Sequence, residues 1–262
     1  MPRTAAPGRL CDDWAVIYDH PQAYELACSF REVGVEVDAL RRWAGAPRTV
    51  LELAAGPAEH AREFAGRGVA ATALDLSPAM CAYARERGVG LPLEVVQADM
   101  TGFRLGRRFD LVITMLDSTA HLMTLDQLVA YLSCVREHLA AGGLAVIEMS
   151  HPADRLGDTP RVSNAWSVRK DGVGADVRWG EPGDEIDPIT QIVNDRVTIA
   201  LDGGEVIQGV VPYRFWTATE LEAAIRLAGG LTVQAQYGDF DVNVSLGSAE
   251  AWRMITLLRH AG

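Results

Sequence analysis

Short apolar runs recur along this chain at Thr49–Leu53, Val69–Leu76, Leu93–Gln97, Phe109–Met115 and Leu144–Met149. Between them lie longer stretches in which apolar residues return every three or four positions. The short runs predict strands and the longer stretches predict helices. Phe109–Met115 is almost wholly apolar, as a strand covered on both faces is. The helices carry their own punctuation. Ala58–Arg67 stops at Gly68. Ser77 and Pro78 open a helix as N-cap and first helical residue, and it closes at Gly88. Thr124–Ala140 is amphipathic and ends at Gly142 and Gly143. Five strands alternating with helices over about 100 residues predict a parallel, doubly wound sheet with right-handed crossovers.

The flanks differ. Residues 1–9 carry no periodic pattern and are expected to fray. Asp12 to Trp43 reads as helical and closes near Gly45-Ala46-Pro47. After His151-Pro152 the texture changes to alternating segments broken by Asp171-Gly172, Pro182-Gly183 and Asp202-Gly203-Gly204. Val193–Leu201 and Val206–Val211 predict a hairpin across the last of these turns, and Trp166/Val168 with Val177/Trp179 predict another. Thr217-Ala218-Thr219-Glu220 is a capping box opening a helix that ends at Gly229-Gly230. Leu231–Tyr237 and Trp252–Leu258 predict two final strands. The organisation expected is a helical cap over 1–47, a core over 48–151, an antiparallel insertion over 152–212, and a closing helix and strand pair over 213–262.

Composition removes several function classes. A chain of 262 residues with net charge −11 is poorly suited to nucleic acid, whose binding rests on neutralising phosphates with Lys and Arg. Lys170 is the sole lysine, which we attribute to codon bias. No basic run suits an anionic membrane surface. No apolar run reaches the ~18 residues of a membrane span, and the N-terminus has no apolar signal core. Cys11, Cys28, Cys81 and Cys134 are scattered without metal spacing, which predicts buried thiols in a reducing cytoplasm and disfavours a Cys11–Cys28 disulfide.

The candidate chemistry begins at Val50–Ala58, a strand running into a turn of small residues. Gly56 lets backbone approach a ligand closely. Asp75, 19 residues further on, ends the second strand, where a carboxylate takes two ribose hydroxyls. The turn lacks Gly-x-Gly-x-x-Gly, which points away from a nicotinamide dinucleotide and towards another adenosine cofactor.

Further segments fall into register with this unit. Glu52-Leu53-Ala54-Ala55-Gly56-Pro57-Ala58 is followed by Asp75–Met80, Gln97–Met100, Phe109–Met115 with Leu116-Asp117-Ser118, His138–Gly143, and Arg214–Leu221. In that order and spacing they resemble the motifs of class I S-adenosylmethionine-dependent methyltransferases, with alanine at Ala54 and Ala58 where the family carries glycine. Tyr18-Asp19 in the cap and the insertion after the fifth strand resemble the bacterial small-molecule members that act on glycine or amino sugars. The resemblance implies an α/β fold: a Rossmann-like seven-stranded sheet with an N-terminal helical cap and an antiparallel β insertion after the fifth strand. It implies S-adenosylmethionine as cofactor, no metal, a small-molecule acceptor methylated at nitrogen before oxygen or an electron-rich carbon, and allows a homodimer. No Pro-Pro-aromatic motif follows the fourth strand, which argues against methylation of DNA bases.

Roles follow from the resemblance. Glu52 orders the cofactor's ammonium end, and Ala54 and Gly56 pass along its methionine portion. Asp75 and Leu76 meet the ribose side, Asp99 accepts from the adenine amino group, Met80 and Met100 form apolar walls, and Met115 and Leu116 border the sulfonium. Tyr18 closes over the methyl group or the cofactor carboxylate, with Arg31 a second candidate for that carboxylate. His121, His151 and Asp117, at the carboxyl ends of the fourth and fifth strands, are candidate bases or orienting groups beside the acceptor. His60 is read as structural. Trp166, Trp179, Tyr213, Arg214, Trp216 and Asp239 are candidates for the acceptor pocket. Two other readings stay open: a catalytically silent binding protein on the same scaffold, and a nicotinamide-dependent oxidoreductase, which the missing glycines and the absence of a Tyr-x-x-x-Lys pair disfavour.

Overall fold

The computed structural model describes residues 12–156 and 162–262; the expectations for residues 1–9 and for Cys11 lie outside them. The N-terminal segment is not one helix. A 3-10 turn over Asp12–Asp19 leads to α1 (Pro21–Ala27) and α2 (Val33–Ala44). The break at His20 has a local cause: the residue before a proline is pushed out of helical backbone, and Pro21 then starts the next helix.

The core follows as β1 (Thr49–Leu53), α3 (Glu59–Gly66), β2 (Ala70–Asp75), α4 (Pro78–Arg87), β3 (Leu93–Gln97), β4 (Phe109–Thr114), α5 (Leu125–His138) and β5 (Leu139–Ser150). These five strands run parallel. After a short α6 (Ala153–Leu156), the insertion forms a separate antiparallel sheet of β6 (Ala165–Lys170), β7 (Val173–Trp179), β8 (Ile192–Leu201) and β9 (Val206–Arg214). Both expected hairpins are present, with Trp166 opposite Val177. Then α7 (Ala218–Ala228), β10 (Leu231–Tyr237) and β11 (Arg253–His260) complete the chain. The large sheet has seven strands in the order β3-β2-β1-β4-β5-β11-β10, with β11 antiparallel to both neighbours.

Burial follows the pleat. In β1, Leu51 and Leu53 pack with Leu132, Val135, Trp216 and Leu221 on one face of the sheet, while Val50 packs with Val37, Leu40 and Phe64 on the other. A third cluster, including Ile17, Ala27, Val197 and Ile199, fastens the N-terminal segment to the smaller sheet. The cap and insertion therefore form one roof over the carboxyl edge of the large sheet.

Two strand boundaries differ from expectation by three residues or more. β5 begins at Leu139, five residues before the expected Leu144, and passes through a register shift opposite Phe109–Leu111. Gly142, at φ 76°, supplies left-handed backbone there, and a Cβ on Gly143 would stand 3.0 Å from both Ala140 O and Phe109 O. The glycine pair thus makes a bulge within the strand, where the sequence reading takes it as a helix stop. β9 runs on to Arg214, past the expected end at Val211, because its register with β8 extends to Ile192.

Candidate active site

The carboxyl end of β1 opens into a turn in which Ala54, Gly56 and Ala58 all adopt left-handed backbone, at φ 49°, 53° and 59°. Alanine holds that conformation at a cost of about 1–3 kcal/mol per residue. The turn keeps the backbone path of a three-glycine loop with only one glycine in it. Asp75 leaves β2 beside it: Oδ2 accepts from Gly56 N at 2.7 Å and Oδ1 from Ser77 N at 2.8 Å. Burial raises its pKa against those backbone donors. Leu76, next in sequence, is 54% exposed and offers a flat apolar surface at the same edge. Asp99, after β3, is fixed by Thr101, whose N and Oγ1 both donate to Oδ1 at 2.7 Å. Met100 packs against the core and Met80 is buried.

Below this turn lies a buried ion cluster. Glu36 accepts from Arg31 (2.6 Å), His60 (2.7 Å) and Arg253 (3.0 Å). Glu148 accepts from Arg31 (2.7 Å) and Arg253 (2.9 Å). Glu52 accepts from Ala61 N at 2.8 Å and faces His60 Nδ1 at 3.3 Å. Its carboxylate is therefore engaged at the first turn of α3, where the helix dipole favours an anion, and not turned out towards a ligand. Burial lowers the His60 pKa, but hydrogen bonds to Glu36 and Glu52 outweigh it and raise the value to about 9. With His60 protonated, these three carboxylates meet two guanidinium groups and one imidazolium, and Asp239 Oδ1 adds a further carboxylate 3.7 Å from Arg253 Nε. Arg31, only 2% exposed at its side chain, is a buried member of the cluster and not a solvated helix arginine. Its Nη1 is buried with no hydrogen-bond partner.

The end of β4 is bent sharply. Leu116 and Asp117 are consecutive left-handed residues, at φ 51° and 57°, and both line a cavity of about 780 Å³ between the two sheets. Trp166, Trp179, Tyr213 and Arg214 line it too. Tyr24 joins the cavity to the Ala54–Ala58 turn: it lines the former, and its ring lies 3.8 Å from where a Cβ on Gly56 would stand. Behind the Tyr213 ring lies a half-buried polar trio. Tyr18 OH is 3.0 Å from His121 Nε2 and 3.2 Å from Tyr213 OH. Burial lowers the His121 pKa to about 4, so its imidazole is neutral near pH 7, and burial raises Tyr18 far above its ordinary value.

Three candidates fall elsewhere. Trp216 is in the core, with Nε1 donating to Leu122 O at 3.1 Å; it packs under α5 and α7 because it lies on the sheet side of the α7 entry. His151 has both ring nitrogens engaged, Nε2 with Leu246 O (2.9 Å) and Nδ1 accepting from Ala153 N (3.0 Å), so it ties loops together. Asp239 holds Trp252 Nε1 at 2.9 Å and is a support for that ring, which itself lines the cavity. Sequence reasoning missed Tyr24, Glu36, Glu148 and Arg253. Glu148 had a readable signal, as the one carboxylate in the run Leu139–Ser150. Arg253 had none, since its partners come from distant segments. Among the described residues no cluster of His, Cys, Asp or Glu could hold a metal ion, and no helix is long and apolar enough to cross a membrane.

Residues 50–143 match the family described as a methyltransferase domain. Over these residues the chain is similar to methyltransferase domains. A relative from Streptomyces venezuelae, named dTDP-3-amino-3,4,6-trideoxy-alpha-D-glucopyranose N,N-dimethyltransferase, is 32% identical over 136 residues, which are 50% of this chain and 56% of that protein. The chain thus spans about half the length of the curated relatives it matches. Solved structures extend the likeness beyond the methyltransferase domain itself. An S-adenosylmethionine-dependent methyltransferase from Clostridium acetobutylicum superposes with a TM-score of 0.73 at 19% identity, covering 95% of this chain and 98% of that one. A sugar N-methyltransferase of a Streptoalloteichus species gives 0.67 at 21%, covering 100% and 98%. These show that the cap, the methyltransferase domain and the insertion share one fold with known methyltransferases.

Proposed function

We propose that this protein transfers a methyl group from S-adenosylmethionine to an amino nitrogen of a small molecule in specialised metabolism, with an amino sugar as the acceptor class. The observation that carries the reading is the meeting of the left-handed Ala54–Ala58 turn and the half-open cavity at one point, Tyr24 and the Leu116–Asp117 bend. The relatives named for amino-sugar N,N-dimethylation support the acceptor class.

The residues present fit the cofactor. Asp75 keeps accepting capacity beyond its two backbone donors and suits a ribose diol. Leu76 suits the face of a base, and Asp99 an exocyclic amine. Arg31 Nη1, buried and unpaired, suits a carboxylate, because a buried donor without a partner carries a desolvation penalty that a bound anion removes. When bound, S-adenosylmethionine supplies an electrophilic methyl on a sulfonium. The protein's part is to hold the acceptor nitrogen against that group and keep water out. Trp166, Trp179 and Tyr213 enclose the acceptor. An amine needs its lone pair free; Tyr213 faces it from the cavity wall, and Tyr18 and the neutral His121 behind it hold that hydroxyl in place without carrying the acceptor's proton away.

Calorimetric titration with S-adenosylhomocysteine tests the reading. The natural chain should bind in the micromolar range, and Asp75→Ala should weaken binding tenfold or more, about 1.4 kcal/mol. Amino-sugar substrates should then gain one or two methyl groups by mass. No binding to the natural chain would overturn the proposal. Binding with no turnover of any amine would turn it towards a silent adenosine-binding protein.

A further inference from the structure

Glu148 sits near the carboxyl end of β5, in a run that is otherwise apolar or small, and is 3% exposed. Burial raises the pKa of such a group, but Arg31 and Arg253 outweigh it and hold the carboxyl below its ordinary range. Both its oxygens are engaged by guanidinium groups, and it also reaches across to β4. Oε2 accepts from Leu116 N at 2.9 Å, and the Glu148 carbonyl accepts from Asp117 N at 3.2 Å. One residue therefore ties down two successive amides, and those amides belong to the two left-handed residues that border the cavity. Non-glycine residues keep such backbone only where their surroundings over-determine it. Glu148 and the two arginines behind it are those surroundings.

Arg31 extends the linkage. Its Nη2 is shared by Glu148 and Glu36, while its Nη1 is the buried donor without a partner. One guanidinium thus connects a vacant hydrogen-bond donor to the carboxylate that holds the Leu116–Asp117 bend. We infer that Glu148 is a positioning residue for methyl transfer, acting through the Leu116–Asp117 bend and coupled by Arg31 to the anionic end of the bound cofactor. It touches neither reactant. It sets where the floor of the acceptor cavity lies, and small displacements there are costly to an in-line transfer. The inference rests on the methyltransferase reading above.

The test uses the full chain with Glu148→Gln, Leu116→Gly and the double variant. The glutamine keeps an acceptor oxygen but loses the charge that anchors it between two arginines. Amide exchange followed by mass spectrometry should accelerate tenfold or more at Leu116 and Asp117 in Glu148→Gln, with β4 unchanged. The kcat should fall tenfold or more while the acceptor KM stays within threefold. Leu116→Gly loosens the same bend and should lower kcat comparably. In the double variant Glu148→Gln should then add less than threefold, because both act on one element. A residue that only stabilises the fold would lower the melting temperature and give multiplicative losses in kcat. Multiplicative losses, or unchanged exchange at Leu116 and Asp117, would overturn the inference. Glu148→Asp keeps the charge and retracts the oxygen from Leu116 N, so it should lose kcat with a smaller stability loss. Natural exchange and turnover in that variant would also overturn it. If the natural chain binds no S-adenosylhomocysteine, the methyltransferase reading falls, and the exchange measurement still decides whether Glu148 holds the bend.

Discussion

Ala54 and Ala58 carry left-handed backbone where glycine would be relaxed, and the loop they shape is the one the sequence already marks through Gly56 and Asp75. The spacing of those two residues was readable because a βαβ unit has a fixed length. Side-chain engagement was not. Glu52 and His151 have the right types at the right strand ends, yet both spend their polar atoms on protein partners. His121 is the most testable residue at this scale. With its pKa lowered to about 4 by burial, it stays neutral from pH 5.5 to 8. The pH profile of kcat/KM should rise only with deprotonation of the acceptor amine and keep its shape in His121→Asn. That variant should lose less than about tenfold, below the 10²–10⁴ typical of general base catalysis. A limb near pH 6.5 in the natural enzyme, missing from the variant, would show that His121 takes the proton.

Elements were legible where local chemistry decides them. The capping box read at Thr217 forms, Ser77 caps α4, and both hairpins turn where the glycines stand; the structure adds a second capping box at Thr124. Elements were misread where a distant strand decides, as at Gly142 and Gly143, whose conformation answers to β4. Gly238 likewise answers to distant residues. A Cβ there would collide with Ala251 Cβ and stand 2.8 Å from Ser245 O, so the loop between β10 and β11 closes only over a glycine. Gly238→Ala should destabilise the protein by about 1–3 kcal/mol in a denaturant titration. It should also disturb the cavity, since that loop carries Trp252 and the carbonyl that holds His151. An unchanged midpoint would mean that the loop yields freely.

Across the whole molecule the ion cluster is the main coupling. Glu36, Glu52, Glu148, Arg31, Arg253 and His60 come from six segments and meet beneath the site. Its pH dependence has a defined sign. The folded pKa of His60 is raised to about 9 from 6.5. The stability it contributes is fully present below about pH 6.5 and is lost as pH rises through about 9. Melting temperature should therefore fall between pH 6.5 and 9.5 in the natural chain, with a shallower slope in His60→Gln. Equal slopes would show that His60 is neutral in the fold.

Periodicity, turn chemistry and motif spacing determined the α/β architecture, the place of the insertion and the pairing of the Gly56 turn with Asp75, because each depends on contacts within a few dozen residues or on the fixed geometry of one βαβ unit. The tertiary structure alone decided which polar side chains face the cavity and which are consumed by one another. Arg31, Glu148 and Arg253 lie more than a hundred residues apart in sequence, and no local pattern encodes a meeting that only the closed sheet brings about. Their pairing keeps Glu148 ionised against its burial, and with it the Leu116–Asp117 bend in place.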